Sequence, residues 1–198
     1  MDKELKILLM TSALFILAGG LFGPIYAVFV EEIGGDLLTA GAAYSVFAIV
    51  TGGIIFFLAK WEDKVKHQEK LVVFGYCLSC IGYFGYLLIR EPWHLFIVQI
   101  IFGLGSAVGT PAYDGLYSKH LDKGKFASQW GMWESMAWIV IGVAAASGGF
   151  LADRYGFRIL FVIMFVISLL GLLTSLFLVV KKKSKKLKKQ KFKKGKNQ

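Results

Sequence analysis

Charged side chains are scarce in this chain and are missing from most of its length. Only 18% of its 198 residues are charged, whereas soluble domains carry about 25%. The charges that exist lie in a few short clusters between long apolar runs. This distribution excludes an ordinary soluble enzyme, a nucleic-acid-binding domain and a disordered chain, since none of these keeps charge out of runs of about 20 residues.

Residues and motifs that support catalysis are also few. The only two cysteines, Cys77 and Cys80, lie within an apolar run that has no second Cys or His pair at ligand spacing. This favours buried thiols over a metal or redox site. The sequence contains no Walker loop, no Gly-x-Ser-x-Gly and no dinucleotide-binding fingerprint. We therefore predict that the chain is not an enzyme, needs no metal or other cofactor and does not itself use ATP.

Apolar sequence, in contrast, is abundant and makes up 56% of the residues. A helix needs about 20 apolar residues to cross roughly 30 Å of bilayer hydrocarbon. Runs of this length that are apolar on all sides predict membrane helices, because barrel strands are shorter and alternate with a period of two. We predict an all-α membrane protein in which residues 1–180 form one domain of six transmembrane helices. The predicted spans are about 7–30, 37–59, 71–89, 95–113, 128–152 and 159–180.

Lysine and arginine are distributed unevenly between the two sides of the membrane. Residues 181–198 contain eleven lysines and no acid, so this segment accounts for the net charge of +10. With the amino terminus inside, the inner segments hold twenty basic residues and the outer segments hold three, Arg90, Arg154 and Arg158. The inner excess predicts a multi-pass protein of the cell membrane with both termini in the cytoplasm.

The lysine-rich segment, residues 181–198, is predicted to be a disordered cytoplasmic tail. Lysines next to a membrane attract anionic lipids, although a simple topology anchor needs no such partner. Contact with nucleic acid or another acidic molecule is a further alternative. Because Phe192 is the only aromatic residue of the tail, we predict no specific nucleic-acid binding.

The first three spans and the last three resemble each other faintly. Pro24 and Pro111 lie in spans one and four. Spans two and five each contain a Gly-Gly pair and lead into a loop in which an Asp precedes a basic residue, at 59–64 and 149–154. Because each unit has three helices, the second must be inverted in the membrane. Inverted three-helix repeats are typical of secondary transporters.

Three stretches of the sequence resemble the major facilitator superfamily. The segment GGFLADRYGFRILF (148–161) is similar to the end of the family's fifth helix. The segment GLGSAVGTPAYDGLYSKHLDKGK (103–125) is similar to its fourth helix and the following basic loop, and residues 20–50 are similar to its opening pair of helices. The resemblance covers one six-helix half, residues 7–180, and implies a fold of two inverted three-helix repeats.

The loop between spans two and three stands where the family has the motif Gly-x-x-x-Asp-Arg-x-Gly-Arg-Arg. Asp63 and Lys64 keep the acid–base pair of this motif, and the resemblance implies a gating contact there. Gln99 stands where proton-coupled antiporters of the family place an arginine, and their fifth-helix glycine pattern is kept only at Gly148 and Gly149. The resemblance therefore does not imply drug–proton antiport.

A single six-helix half implies a partner. Members of the family place the substrate between two such halves, and the lysine-rich tail stands where the family has its linker between them. We therefore predict a homodimer or pairing with a separate second half. An inactive remnant of a transporter is the alternative.

Glu134 is the one acidic residue well inside an apolar span. Because ionisable groups within membrane spans are commonly functional, we predict that Glu134 is a substrate-binding residue. It would bind a cation or a proton beside a group of aromatic side chains that includes Trp133. The alternative places Glu134 near the cytoplasmic end of its helix, with its carboxylate reaching towards Lys123 or Lys125.

Gln99, Tyr26 and Tyr44 are polar side chains in apolar spans and are the other predicted substrate-binding residues. For Tyr26 a position at the membrane–water interface is the alternative. Asp114, at the inner end of span four, is predicted to be an interfacial partner of a loop lysine.

These features predict a secondary transporter that moves a small solute across the lipid membrane by alternating access. The alternative is a non-transporting membrane scaffold or regulatory partner that acts through the lysine-rich tail. The transporter hypothesis predicts a water-accessible cavity lined by spans one, two, four and five that contains Glu134 or Gln99.

Overall fold

The structure, a computed structural model, describes residues 3–62 and 64–195, with side chains described for residues 4–58, 60–62 and 64–180. All of the secondary structure in these residues is helical. The helices are α1 (Lys3–Gly20), α2 (Tyr26–Glu32), α3 (Leu37–Glu62), α4 (Gln68–Tyr86), α5 (Pro92–Lys119) and α6 (Phe126–Gly195), with a single 3₁₀ turn (Gly23–Ile25) between α1 and α2.

Two prolines within predicted spans have different local effects. α1 ends at Gly20, and Pro24 lies in the 3₁₀ turn that joins it to α2. A proline suits the start of such a turn because its fixed φ is compatible and its missing N–H has no partner to lose. Pro111, in contrast, lies inside α5, which continues through it to Lys119.

A glycine divides the longest helix. At Gly156 the backbone has φ 80° and ψ 164°, which no α-helix adopts, and this region of backbone space is open essentially to glycine alone. α6 therefore consists of a proximal segment (126–155) and a distal segment (157–195). The helix is therefore kinked at this point without an intervening loop.

An acidic residue immediately precedes the second predicted span. Asp36 precedes α3, and its side-chain oxygen Oδ1 accepts hydrogen bonds from the Thr39 hydroxyl at 2.6 Å and the Thr39 backbone N–H at 2.7 Å. This is the geometry of a helix N-cap. These two hydrogen bonds stabilise the ionised carboxylate and lower the pKa of Asp36 below its ordinary value of 3.8. The Thr39 hydroxyl has the larger effect and the Thr39 backbone N–H the smaller one.

Four helical stretches of the described chain are long and apolar enough to cross a membrane, so this is a multi-pass membrane protein. They are Glu4–Glu32, Leu37–Leu58, Pro92–Lys119 and Phe126–Val180. The last has 55 residues and, at 1.5 Å per residue, would extend about 80 Å if it were straight. The count of six spans, the domain boundaries and the disorder of the lysine-rich tail stay predictions.

The helices pack in pairs around two clusters of buried side chains. α1 packs along α6, α5 contacts both α4 and α3, and α4 also contacts α6. One cluster surrounds Phe22, whose ring makes edge-on contacts with Phe29, Tyr86 and Phe161 at centroid distances of 5.0–5.6 Å. The other surrounds the fully buried Tyr117 near the opposite end of α5.

Candidate functional site

A cavity of about 540 Å³ lies between the helices, within the usual range for small-molecule sites. Its wall comes mainly from α1, α4, α5 and the proximal segment of α6, while α3 contributes Phe47. Most of the lining is apolar or aromatic. Its side chains with a polar group are Ser12, Tyr76, Ser79, Tyr83, Ser106, Thr110, Tyr113, Asp114, Trp133, Glu134 and Trp138.

Two carboxylates from different helices line this cavity, Asp114 on α5 and Glu134 on the proximal segment of α6. Asp114 is half-buried, whereas Glu134 is exposed. Neither carboxylate forms a hydrogen bond or ion pair with any residue that the structure describes. Within the described part of the chain, no lysine, arginine or histidine lines the cavity. Its fixed charge is therefore negative.

Aromatic rings form much of the wall, and packing fixes several of them. Tyr76 stacks on Phe15 with ring centroids 3.9 Å apart. The indole Nε1 of Trp133 donates a hydrogen bond of 3.1 Å to the Ser12 hydroxyl, which ties α6 to α1 beside the cavity. Trp138, one turn after Glu134, is 68% exposed. Part of the aromatic wall is thus rigid, while Trp138 keeps an open face.

Glycines bring α4 and α5 together at the cavity wall. A Cβ atom on Gly75 would lie 2.6 Å from the Gly109 Cα and 2.7 Å from the Gly105 carbonyl oxygen. Real side chains do not tolerate such distances, so the two backbones are in direct contact here. This close approach lets backbone atoms form part of the lining.

The predicted substrate-binding residues divide into two groups. Glu134 and Trp133 both line the cavity, together with Asp114, which had been predicted to be interfacial. Gln99 and Tyr26 lie apart from it, in the Phe22 cluster, where the Gln99 amide donates to the Tyr26 hydroxyl at 3.1 Å and to the Tyr86 hydroxyl at 3.4 Å. These placements leave their roles in solute binding as predictions.

Tyr44, the remaining predicted residue, is 62% exposed and packs against Phe47. It is outside the cavity lining, although Phe47 belongs to it. Tyr76 and Ser79 of α4 also line the cavity, although neither is among the predicted substrate-binding residues. The usable signal was their spacing, since residues three apart on a helix share a face and Gly75 lies on the same side.

Polar contacts join the helix ends at the side predicted to be cytoplasmic. Lys119 at the end of α5 donates a 2.7 Å hydrogen bond to Gln68 at the start of α4. The His120 Nε2 lies 2.5 Å from a Glu4 carboxylate oxygen, which connects α5 to α1. Of the predicted gating pair, Lys64 is exposed in the loop between α3 and α4, and Asp63 lies outside the described residues. The gating contact stays a prediction.

The sequence has relatives among known proteins. The family model for the Major Facilitator Superfamily matches residues 8–197. The chain is 22% identical to the uncharacterized MFS-type transporter MJ1560 of Methanocaldococcus jannaschii, over 91% of this chain and 46% of that protein. It is 27% identical to the uncharacterized MFS-type transporter YttB of Bacillus subtilis, over 83% of this chain and 44% of that protein.

A third relative differs in length. The chain is 24% identical to the uncharacterized MFS-type transporter YitZ of Bacillus subtilis, over 73% of this chain and 87% of that protein. The chain thus spans about half the length of MJ1560 and YttB, but its match covers most of YitZ. Since the family model covers nearly the whole sequence, the chain belongs to the Major Facilitator Superfamily of membrane transporters.

Proposed function

We propose that the chain is one half of a secondary transporter that moves a small solute across the cell membrane by alternating access. The observation that carries this proposal is the cavity of about 540 Å³, which is bounded by long apolar helices and contains the intramembrane carboxylate Glu134. A solute site at the centre of a helical bundle is the working part of a secondary transporter. Membership of the family supports the same conclusion.

The chain crosses the membrane six times in this proposal. α4 serves as the third crossing, and the two segments of α6 serve as the fifth and sixth, with the turn at Gly156 between them. The spans then form two inverted three-helix repeats. The excess of lysine in the inner segments supports a cytoplasmic location for both termini.

A second six-helix half completes the passage, either as a second copy of this chain or as a separate partner. Glycines on α3 and on the proximal segment of α6 support this pairing. A Cβ atom on Gly52, Gly53 or Gly142 would meet no described atom within 4 Å. Small residues that leave a backbone open allow close helix–helix packing in lipid.

The lysine-rich tail, residues 181–198, contributes to membrane attachment in this proposal. Lysines near an anionic surface are each worth about 1 kcal/mol of attraction, less at high salt. The family match does not favour the alternative of a scaffold that works through this tail. Deletion of the tail is therefore not expected to prevent the cavity from opening to each side of the membrane in turn.

Thiol accessibility tests alternating access without knowledge of the solute. In a Cys77→Ala, Cys80→Ala background, Ser106→Cys places a thiol on the cavity wall, and Phe177→Cys places one on an exposed apolar surface of the distal α6 segment. We expect a membrane-impermeant maleimide to label Ser106→Cys from either side of sealed vesicles and not to label Phe177→Cys. Labelling of Ser106→Cys from one side alone, in every condition, would contradict alternating access.

The mass of the protein in mild detergent tests whether the chain is bound to a second six-helix half. We expect a particle with twice the 22.0 kDa of one chain, or a hetero-complex with a second membrane protein. A strict monomer that co-purifies with nothing would leave the cavity without its opposite wall. That result would count against the proposal of paired halves.

A further inference from the structure

The cavity has a charge of one sign. Asp114 and Glu134 contribute two carboxylates, and no basic side chain of the described residues lines the same space. A cleft with walls of low dielectric constant and charge of one sign concentrates ions of the opposite sign. An anionic solute would instead meet repulsion from both carboxylates. The electrostatics therefore select against anions.

Among the residues that the structure describes, neither carboxylate has a hydrogen-bonding or ion-pairing partner. Asp114 and Glu134 form no hydrogen bond or ion pair with the described residues. A charged group within a membrane protein is costly unless it is paired or hydrated. A cation bound between α5 and α6 would supply the missing partner.

The aromatic wall narrows the chemistry of this cation. Trp133 and Trp138, next to and one turn after Glu134 on α6, line the cavity with it, and Tyr76 and Tyr113 line the same cavity as Asp114. Aromatic faces attract organic ammonium groups and also contact the apolar body that carries them. A hydrated metal ion gains little from such a surface, because oxygen ligands are what it requires.

We propose that the cavity binds a small organic cation that carries an apolar or aromatic body, with Asp114 and Glu134 as its charge partners and Trp133 and Trp138 as its aromatic contacts. This assignment rests on the proposed transport function, since it names the class of solute for the same cavity. The volume of about 540 Å³ accommodates an organic cation of this type.

Equilibrium binding to the full-length protein in lipid nanodiscs tests the assignment. The probe is benzyltrimethylammonium, with benzyl alcohol as the neutral comparator and phenylacetate as the anionic one, and calorimetry gives the affinities. We expect saturable binding of the cation that is at least about tenfold tighter than binding of either comparator, since contacts with a charged group favour it by that factor or more. Equal binding of the three probes, or no saturable binding of the cation, would overturn the proposal.

Charge-neutralising variants locate the site. Glu134→Gln and Asp114→Asn are each expected to weaken binding of the cation about tenfold and to leave binding of benzyl alcohol unchanged. Asp153→Asn is the matched control, because Asp153 is exposed and lies outside the cavity lining. If the double variant binds the cation as tightly as the wild type, the two carboxylates are not its partners.

A variant that removes an aromatic ring tests the proposed cation site without changing either carboxylate. Trp138→Ala removes an exposed ring from the cavity wall, and we expect it to weaken binding of the cation more than binding of benzyl alcohol. Equal weakening would contradict an aromatic contact with the charge. The labelling of Ser106→Cys separates failure of transport from failure of this inference, since cation binding without two-sided labelling counts against transport alone.

Discussion

The backbones of Gly75 and Gly109 are in contact where α4 packs against α5. A Cβ atom on Gly75 would lie 2.6 Å from the Gly109 Cα, and a Cβ atom on Gly109 would lie 3.2 Å from the Gly75 Cα. In lipid, where helices gain little from burying apolar surface against each other, such close approach supplies dispersion contacts. The contact also forms part of the cavity wall, so the packing of α4 on α5 and the shape of the solute site are set together.

Gly75→Ala is expected to destabilise the protein. The added methyl group meets backbone atoms that cannot rotate away, and overpacking of this kind costs about 1–3 kcal/mol. Thermal unfolding in detergent, followed by the monodisperse fraction that remains, measures the effect. Gly131→Ala is the control, because its Cβ would meet nothing within 4 Å among the described atoms. Equal stability of the two variants would show that α4 and α5 are not in backbone contact.

The long, uniformly apolar runs were enough to predict the helical membrane fold from the sequence. Charge-free length identifies a membrane helix without any knowledge of its neighbours, and the helices α3 and α5 overlap two of the predicted spans. α4 is not among the four helical stretches that are long and apolar enough to cross a membrane. It begins with Gln68, Glu69 and Lys70 and is less apolar over its length than those four stretches.

The site was harder to predict, because it depends on which helix faces meet. Glu134 and Trp133 stood out by their chemistry and do line the cavity. Gln99 stood out for the same reason, but its amide contacts the hydroxyls of Tyr26 and Tyr86 outside this cavity, and its role in solute binding stays a prediction. Asp114 lines the cavity together with residues of α4 and α6, and nothing in the local sequence specifies which face of α5 borders that space.

Gln99→Leu tests whether Gln99 is a packing residue or a solute ligand. The Gln99 amide is buried and donates to the hydroxyls of Tyr26 and Tyr86. Its loss leaves the buried Tyr86 hydroxyl and the half-buried Tyr26 hydroxyl without this donor, and an unsatisfied buried polar group costs about 1–3 kcal/mol. We expect lower thermal stability and an unchanged affinity for benzyltrimethylammonium. Tyr44→Phe, which removes an exposed hydroxyl, is the control, and loss of cation binding without loss of stability would instead favour a ligand role for Gln99.

Asp36 gives the start of α3 a predictable pH dependence. Its pKa is lowered by the hydroxyl and backbone N–H of Thr39, so the folded state favours the ionised carboxylate. The stabilisation is therefore present above the ordinary pKa of 3.8 and is lost as the pH falls through the lower pKa of the folded state. We expect the stability difference between wild type and Asp36→Ala to be full at pH 6 and to shrink below pH 3.8.

Thermal unfolding across this pH range measures the Asp36 effect. Asp36→Ser is the control, since a serine hydroxyl also accepts a hydrogen bond at an N-cap but does not titrate there. The stability difference between Asp36→Ser and Asp36→Ala should accordingly stay constant with pH. A wild-type advantage over Asp36→Ala that is equally constant would mean that Thr39 does not stabilise the ionised Asp36 carboxylate.

Gly156→Ala tests the turn that divides α6. With φ 80° and ψ 164°, Gly156 has a backbone that a residue with a side chain adopts only at a cost of about 1–3 kcal/mol. Gly149→Ala is the matched control in the same helix, because its Cβ would meet nothing within 4 Å among the described atoms. In a helix interior alanine is favoured over glycine by roughly 0.5–1 kcal/mol, so we expect the two variants to change stability in opposite directions.

Labelling of a cysteine next to Gly156 tests whether the two segments of α6 cross the membrane separately. If the proximal and distal segments of α6 are separate spans, a thiol at Tyr155→Cys in the cysteine-free background lies on the outer side of the membrane. An impermeant maleimide added to intact cells should then label it, whereas Lys123→Cys, in the loop before α6, should react only after the membrane is opened. Protection of Tyr155→Cys in intact cells, or labelling of Lys123→Cys, would contradict the proposal that the two segments of α6 are separate spans, and with it the six-span topology.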